Sequence, residues 1–203
     1  MKPEVRQIIQ RLSLREPQQQ SLEILDRVCD LIPLTKSADP EASLAQIREA
    51  FPSVKAFDRD FPSLCFALAT GVGKTRLMGA FIAYLYNTRR LRHFLILAPN
   101  LTIYRKLIQD FTPGTEKYVF QGISDFAINA PVLITGESYE RVRLVEEGQG
   151  QAALWDTREA HINIFNIAKL GTKEGRKVSR LRETGRKLLR LPFRAAGSGH
   201  LDG

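Results

Sequence analysis

The sequence predicts an α/β fold in which a parallel sheet, with helices on both faces, follows an N-terminal helical segment. Three observations indicate this fold. Apolar residues at helical spacing dominate residues 1–62, short apolar strands alternate with helices from Ser63 onward, and a glycine-rich run joins the first of these strands to the next helix. Short apolar strands that alternate with helices are typical of parallel sheets whose faces are covered.

The N-terminal segment contains three predicted helices. Periodic apolar residues place the first two at 3–11 and 17–31. The third begins near Pro40, because proline suits a first helical turn, and it ends before Pro52. Residues 36–39 are the predicted linker between the second and third helices.

Five strands and three helices are predicted after this segment. The strands are placed at 63–68, 94–98, 117–121, 131–135 and 162–167. The helices are placed at 74–88, 101–111 and 137–147. Ligands of open α/β sheets bind at the carboxyl ends of the strands, so functional residues are expected there.

Composition predicts a cytoplasmic globular protein without a membrane-spanning segment. The chain is 43% hydrophobic and 26% charged, and its first residues have no signal-like apolar core. Cys29 and Cys65 lie in apolar patterns, which favours buried free thiols over a disulfide.

The net charge of +8 is concentrated in one segment. Residues 172–194 hold nine Lys or Arg against two Glu, whereas residues 1–171 hold 21 basic and 19 acidic groups. The charge therefore describes this segment rather than the domain. Basic segments often bind nucleic acid, but a different origin of this segment is argued below.

Residues 69–75, Ala-Thr-Gly-Val-Gly-Lys-Thr, combine the groups that bind a nucleoside triphosphate. The glycines let the backbone approach the phosphates, and the start of the following helix adds partial positive charge. Lys74 is expected to contact the β and γ phosphates and Thr75 to hold Mg²⁺, which makes them the candidate catalytic residues. The predicted nucleotide-binding residues of this run are Thr70, Gly71, Val72, Gly73, Lys74 and Thr75. The alternative is a glycine-rich turn without a ligand.

Two further runs accompany this loop. Upstream stands Leu14-Arg15-Glu16-Pro17-Gln18, followed by Gln19 and Gln20. After the second predicted strand comes Ala98-Pro99-Asn100-Leu101-Thr102. A helix start attracts anions and a hydroxyl can donate to phosphate, so Asn100 and Thr102 are candidate nucleic-acid contacts. The alternative for Asn100 is a plain helix cap.

With these runs in place, the chain resembles the first motor domain of superfamily 2 helicases, most closely the restriction subunit of type III restriction enzymes. The resemblance implies a RecA-like P-loop NTPase fold, ATP and Mg²⁺ as cofactors, DNA as a partner and a modification (methyltransferase) subunit in the intact relative. It also implies that Gln18 pairs with adenine, although the adjacent Gln19 and Gln20 leave open which of the three glutamines occupies the matching position. The implied organisation is a helical segment at 1–62, a partial motor domain at 63–183 and a basic tail at 184–203.

One family motif is missing. No adjacent Asp-Glu pair, which would hold Mg²⁺ and position the attacking water, occurs in the sequence. Residues 185–203 are rich in Arg, Ala and Gly, as in a GC-rich gene read out of frame. When the second and third bases of each codon are read with the first base of the next, the degenerate code permits an apolar strand that ends in Asp-Glu. We therefore expect an N-terminal fragment, produced near Thr184 by a frameshift in a longer gene or by a sequencing error, that binds ATP but hydrolyses it negligibly. The alternatives are a genuine short protein that binds nucleic acid through its basic tail and a stand-alone phosphate-loop kinase.

Overall fold

A computed structural model describes residues 1–35, 38–57, 59–138 and 159–167. These residues form six helices: α1 Pro3–Arg11, α2 Glu16–Leu31, α3 Pro40–Ala50, α4 Lys74–Arg89, α5 Leu101–Phe111 and α6 Ser124–Ile128. They also form three strands: β1 His93–Ala98, β2 Val132–Thr135 and β3 His161–Asn166. None of these helices is long and apolar enough to cross a membrane.

The three strands form one parallel sheet in the order β1-β3-β2. His161 of β3 lies opposite His93 of β1 and Val132 of β2, and all six residues of the central β3 are buried. Helix α5 packs against β1 and β3. The predicted α/β fold with a parallel sheet is therefore confirmed.

Residues 63–68 do not form the predicted strand. An apolar run becomes a strand only when a neighbouring strand pairs with it, and β1 pairs only with β3 among the described residues. Leu64 is consequently 43% exposed.

The prediction for Cys29 as a buried free thiol is confirmed, and burial raises its pKa to about 11. The predicted burial of Cys65 is wrong, because this free thiol lies exposed in the irregular segment.

The predicted strand at 117–121 is also wrong, because this segment forms turns. Its apolar side chains pack against a helix instead: Val119 is buried and approaches Gly79 of α4 so closely that a Cβ there would lie 2.9 Å from the Val119 Cβ. In the predicted helix at 137–147, Glu137 and Ser138 form a turn and the rest lies outside the described residues. Helix α6 had no clear sequence signal.

A buried polar network fixes the N-terminal helices to α4. The Tyr84 hydroxyl of α4 is fully buried and donates a hydrogen bond to Asp26 of α2 at 2.7 Å, and Lys2 Nζ donates to the same carboxylate at 2.7 Å. Arg89, near the end of α4, pairs with Asp30 of α2. Burial raises the pKa of Tyr84 to about 12, so the hydroxyl keeps its proton at physiological pH. The helix that begins after the glycine-rich run is thus anchored at its far end.

His161 should make the folding stability depend on pH. The side chain is 4% exposed, and burial, followed by the nearby His93, lowers its pKa from 6.5 to about 4. Between pH 6.5 and 4, the imidazole of His161 is therefore protonated in the unfolded chain but not in the folded chain. As the pH is lowered from 6.5 to 4, we expect the free energy of unfolding to fall by roughly 3 kcal/mol. Urea unfolding at a series of pH values would measure this change.

The matched variant for this expectation is His161→Gln, which cannot titrate. Its unfolding free energy should vary less with pH between 6.5 and 4 than that of the original protein. Equal slopes for the two proteins would contradict the assignment of the pH dependence to His161.

Candidate nucleotide site

The glycine-rich run forms a loop that leads directly into α4. Gly71 and Gly73 both adopt left-handed backbone conformations, with φ of 83° and 92°. Around Gly71 there is open space, so only its backbone conformation favours glycine. At Gly73 a Cβ would also lie 2.8 Å from Gln18 Nε2. The second glycine is therefore favoured both by its left-handed conformation and by the close approach of the Gln18 side chain.

The groups that the sequence assigned to the phosphates gather at the start of α4. Gly73 is the N-cap of the helix, and its carbonyl accepts from Leu77 N at 3.1 Å. Lys74 is exposed, and its ammonium donates to the Ala69 carbonyl at 2.7 Å. Thr75 follows, half-buried. A lysine and a hydroxyl at a helix N-terminus after a glycine loop fit Mg-ATP.

Gln18 is the glutamine that lies against this loop. Its side chain is buried, its Oε1 accepts from Arg15 N at 2.7 Å, and its Nε2 donates to the Gly73 carbonyl at 2.8 Å. Gln19 instead donates to the Leu14 carbonyl, and Gln20 donates to Glu16. Each end of the Gln18 amide thus binds backbone through one of its two hydrogen-bonding positions, which leaves one N–H and one lone pair for another partner. Its pairing with adenine stays a prediction.

Arg15 is a loop contact that sequence analysis missed. Its Nη1 lies 3.4 Å from the Gly71 carbonyl, so Arg15 and Gln18 hold the carbonyls of the two left-handed glycines. The only signal for this contact in the sequence was the position of Arg15 in the same upstream run as Gln18. The start of α2 therefore shapes the loop at two points.

The candidate nucleic-acid contacts lie at the start of α5, directly after β1. Asn100 caps this helix, since its Oδ1 accepts from Ile103 N at 2.9 Å, and both Asn100 and Thr102 are exposed. The capping role is thus present, and contact with DNA stays a prediction. Tyr104 of the same helix is buried, and its hydroxyl accepts from Gly136 N at 3.2 Å, so this residue is part of the packing.

The structure brings Gln18 together with the phosphate loop, whereas Asn100 and Thr102 begin a different helix. No hydrogen bond among the described residues joins these two groups. The predicted basic tail at 184–203 and the basic segment at 172–194 lie outside the described residues.

Replacing Gln18 should loosen the loop. In Gln18→Leu both amide bonds are lost, and we expect the free energy of unfolding to fall by about 1–3 kcal/mol, measured by urea unfolding. The matched control, Gln20→Leu, removes an exposed contact and should change stability by less than about 0.5 kcal/mol.

Nucleotide titrations of the same variant separate two roles of Gln18. If Gln18 shapes the loop, Gln18→Leu weakens the binding of ATP and of inorganic tripolyphosphate alike. A loss confined to ATP, with unchanged stability, would contradict the loop-holding role and support adenine pairing.

Comparison with known proteins identifies the family. The model of the type III restriction enzyme res subunit matches residues 11–189, which is most of the chain. Comparison with curated proteins gave no match, and comparison with solved structures gave none either. The matched family has a P-loop NTPase fold, and its members are helicase-like, ATP-dependent enzymes that act on nucleic acid. The chain therefore belongs to the family of type III restriction enzyme res subunits.

Proposed function

We propose that this chain binds Mg-ATP through residues 69–75 as part of a DNA helicase or translocase. The observation that carries the proposal is the loop geometry: two left-handed glycines lead into the N-terminus of α4, with Lys74 and Thr75 in its first turn. Lys74 would release the Ala69 carbonyl and bind the β and γ phosphates. Thr75 would hold Mg²⁺, which neutralises charge on the phosphate oxygens when bound.

The DNA strand would be bound at the start of α5, where Asn100 and Thr102 are exposed. Contacts to phosphates position a strand without reading its sequence. In the proposed assembly the sequence would be read by a modification subunit, as the family membership suggests. The proposed organisation is a helical segment at 1–62 that supports the loop and a partial motor domain at 63–183.

Hydrolysis is expected to be negligible. Phosphate-loop motors hold Mg²⁺ and position the attacking water with an acidic motif, and no adjacent Asp-Glu pair occurs in this sequence. The proposed activity of these residues is therefore nucleotide-dependent binding of DNA without steady turnover.

Lys74→Ala tests the nucleotide site. We expect ATP affinity in the presence of Mg²⁺, measured by isothermal titration calorimetry, to fall by about tenfold or more, because a charge-assisted hydrogen bond to phosphate is lost. Lys106→Ala removes an exposed lysine of α5 and serves as the control. Equal affinities of the original protein and Lys74→Ala would contradict the site. Steady phosphate release that Lys74→Ala abolishes would contradict the absence of turnover.

A second candidate function is nucleic-acid binding by the basic segment alone. Its support is the charge of residues 172–194, nine Lys or Arg against two Glu. The family match runs to residue 189 and so includes most of that segment, which favours the motor over an appended basic tail.

DNA binding by two variants separates these functions. Asn100→Asp keeps a cap oxygen for Ile103 N but places a negative charge where a phosphate would lie, so single-stranded DNA affinity should fall several-fold while the melting temperature is unchanged. Deletion of residues 172–203 should leave much of the affinity in place. Collapse of binding and of its salt dependence on deletion, with no effect of Asn100→Asp, would establish the basic segment as the binder.

A further inference from the structure

Tyr104 connects the start of α5 to the turn that follows β2. Its backbone N–H donates to the Asn100 carbonyl at 3.0 Å, which closes the first turn of the helix. Its hydroxyl accepts from Gly136 N at 3.2 Å, one residue beyond the end of β2. A single residue therefore contacts both Asn100, a candidate nucleic-acid contact, and a loop that follows another strand.

The order of the strands makes this connection a bridge across the sheet. β1 leads into α5, β2 leads into the turn, and β3 lies between them. Adjacent strands lie about 4.8 Å apart, so the ends of β1 and β2 are separated by roughly 9–10 Å. A Cβ on Gly136 would lie 3.6 Å from the Tyr104 hydroxyl and 3.8 Å from Phe165 Cδ1 of β3. Residues that belong to or follow all three strands thus meet near this hydroxyl.

Both partners of the hydrogen bond are held in place by other contacts. Tyr104 is 3% exposed and is the first buried residue of α5. The turn after β2 is closed by its own side chains, because Thr135 N donates to Ser138 Oγ at 2.8 Å and Ser138 N donates to Thr135 Oγ1 at 3.3 Å. Since both groups are already ordered, the bond costs little further conformational entropy. It therefore fixes the distance between the helix start and the turn.

The tyrosine hydroxyl is not needed to fill the core. The ring packs in the hydrophobic core, and a phenylalanine ring would fill the same space. Gly136 belongs to an exposed turn, where water can accept from its N–H in place of the hydroxyl. The specific effect of the hydroxyl is therefore on the position of the helix start rather than on packing.

The position of this helix start matters for binding. Asn100 and Thr102 are exposed and precede Tyr104, so the order of their backbone depends on the first turn that Tyr104 closes. Groups that bind a ligand together must be held within roughly 0.5 Å of the productive geometry. A hydroxyl that anchors the first turn is thus suited to keep both side chains in place for a phosphate backbone.

We propose that Tyr104 is a positioning residue for the nucleic-acid site. Its hydroxyl holds the start of α5 at a fixed distance from the turn after β2, so that Asn100 and Thr102 meet the DNA phosphates together. Tyr104 acts through these two residues and makes no contact of its own with DNA. The proposal rests on the proposed function, in which Asn100 and Thr102 bind the strand.

A double-mutant cycle on single-stranded DNA affinity tests this role. Fluorescence anisotropy of a labelled oligothymidylate measures the affinities of the full chain, of Tyr104→Phe, of Thr102→Ala and of the double variant. The matched control is Tyr118→Phe, which removes a buried hydroxyl without a hydrogen-bond partner among the described residues.

A second pair of variants breaks the same hydrogen bond from the other side. Gly136→Pro removes the donor, and proline suits the first position of a turn that follows an extended residue. Gly136→Ala keeps the donor, and its Cβ would make only ordinary van der Waals contacts, so it is the control.

Tyr104→Phe should weaken oligothymidylate binding by about three- to fivefold, as expected for the loss of one hydrogen bond. Its melting temperature should fall by less than about 4 °C. Thr102→Ala should weaken binding in the original protein but have a smaller effect in Tyr104→Phe, because Thr102 is then no longer held at a phosphate. Gly136→Pro should reproduce the loss of affinity, whereas Tyr118→Phe and Gly136→Ala should leave the affinity unchanged.

Two different results would overturn parts of this assignment. Additive effects of Tyr104→Phe and Thr102→Ala, or unchanged affinity in Tyr104→Phe and Gly136→Pro, would overturn the positioning role and leave the DNA site standing, provided that Thr102→Ala still weakens binding. Unchanged affinity in both Asn100→Asp and Thr102→Ala would overturn the proposed DNA contact and the positioning role together.

Discussion

The hydrogen bond from the Gln18 amide to the Gly73 carbonyl is the contact on which the site depends. It joins the start of α2 to the start of α4 at 2.8 Å, and a Cβ at residue 73 would lie 2.8 Å from the donor nitrogen. The same two helices are joined at their other ends, where the Tyr84 hydroxyl donates to Asp26. Helix α4 is therefore clamped along its length by the N-terminal segment, which fixes the direction of the helix start that would face a triphosphate.

Elements whose ends are set by local chemistry could be predicted from the sequence. Proline at the start of α1 and α3 and the Asn100 cap of α5 are signals within one helical turn, and those helices lie where they were predicted. The strands predicted at 63–68 and 117–121 had the right composition but no pairing partner among the described residues. Pairing is a property of two distant segments, so apolar composition alone did not determine it.

The same distinction applies to the site. Gly71, Gly73, Lys74 and Thr75 form one short run, and the sequence placed them together. Gln18 reaches Gly73 across 55 residues of chain, and the sequence could not choose between it and its two neighbouring glutamines. The packing of Val119 on Gly79 of α4 was not foreseen, because it depends on turns where a strand was predicted.

The loop is held from its helical side. In a strand-loop-helix unit the strand would normally fix the other end, but residues 63–68 pair with no strand among the described residues. That end is held by the Phe66 ring, which packs on Phe81 of α4 at 4.9 Å between centroids, and by the Lys74 ammonium on the Ala69 carbonyl. Lys74 is the same cation that a triphosphate would draw away. In the proposed function, nucleotide binding would therefore exchange a contact within the loop for contacts to phosphate, and the free energy gained would be the difference between the two. The Gln18 bond would keep that exchange local, since it would hold Gly73 in place while Lys74 changes partner.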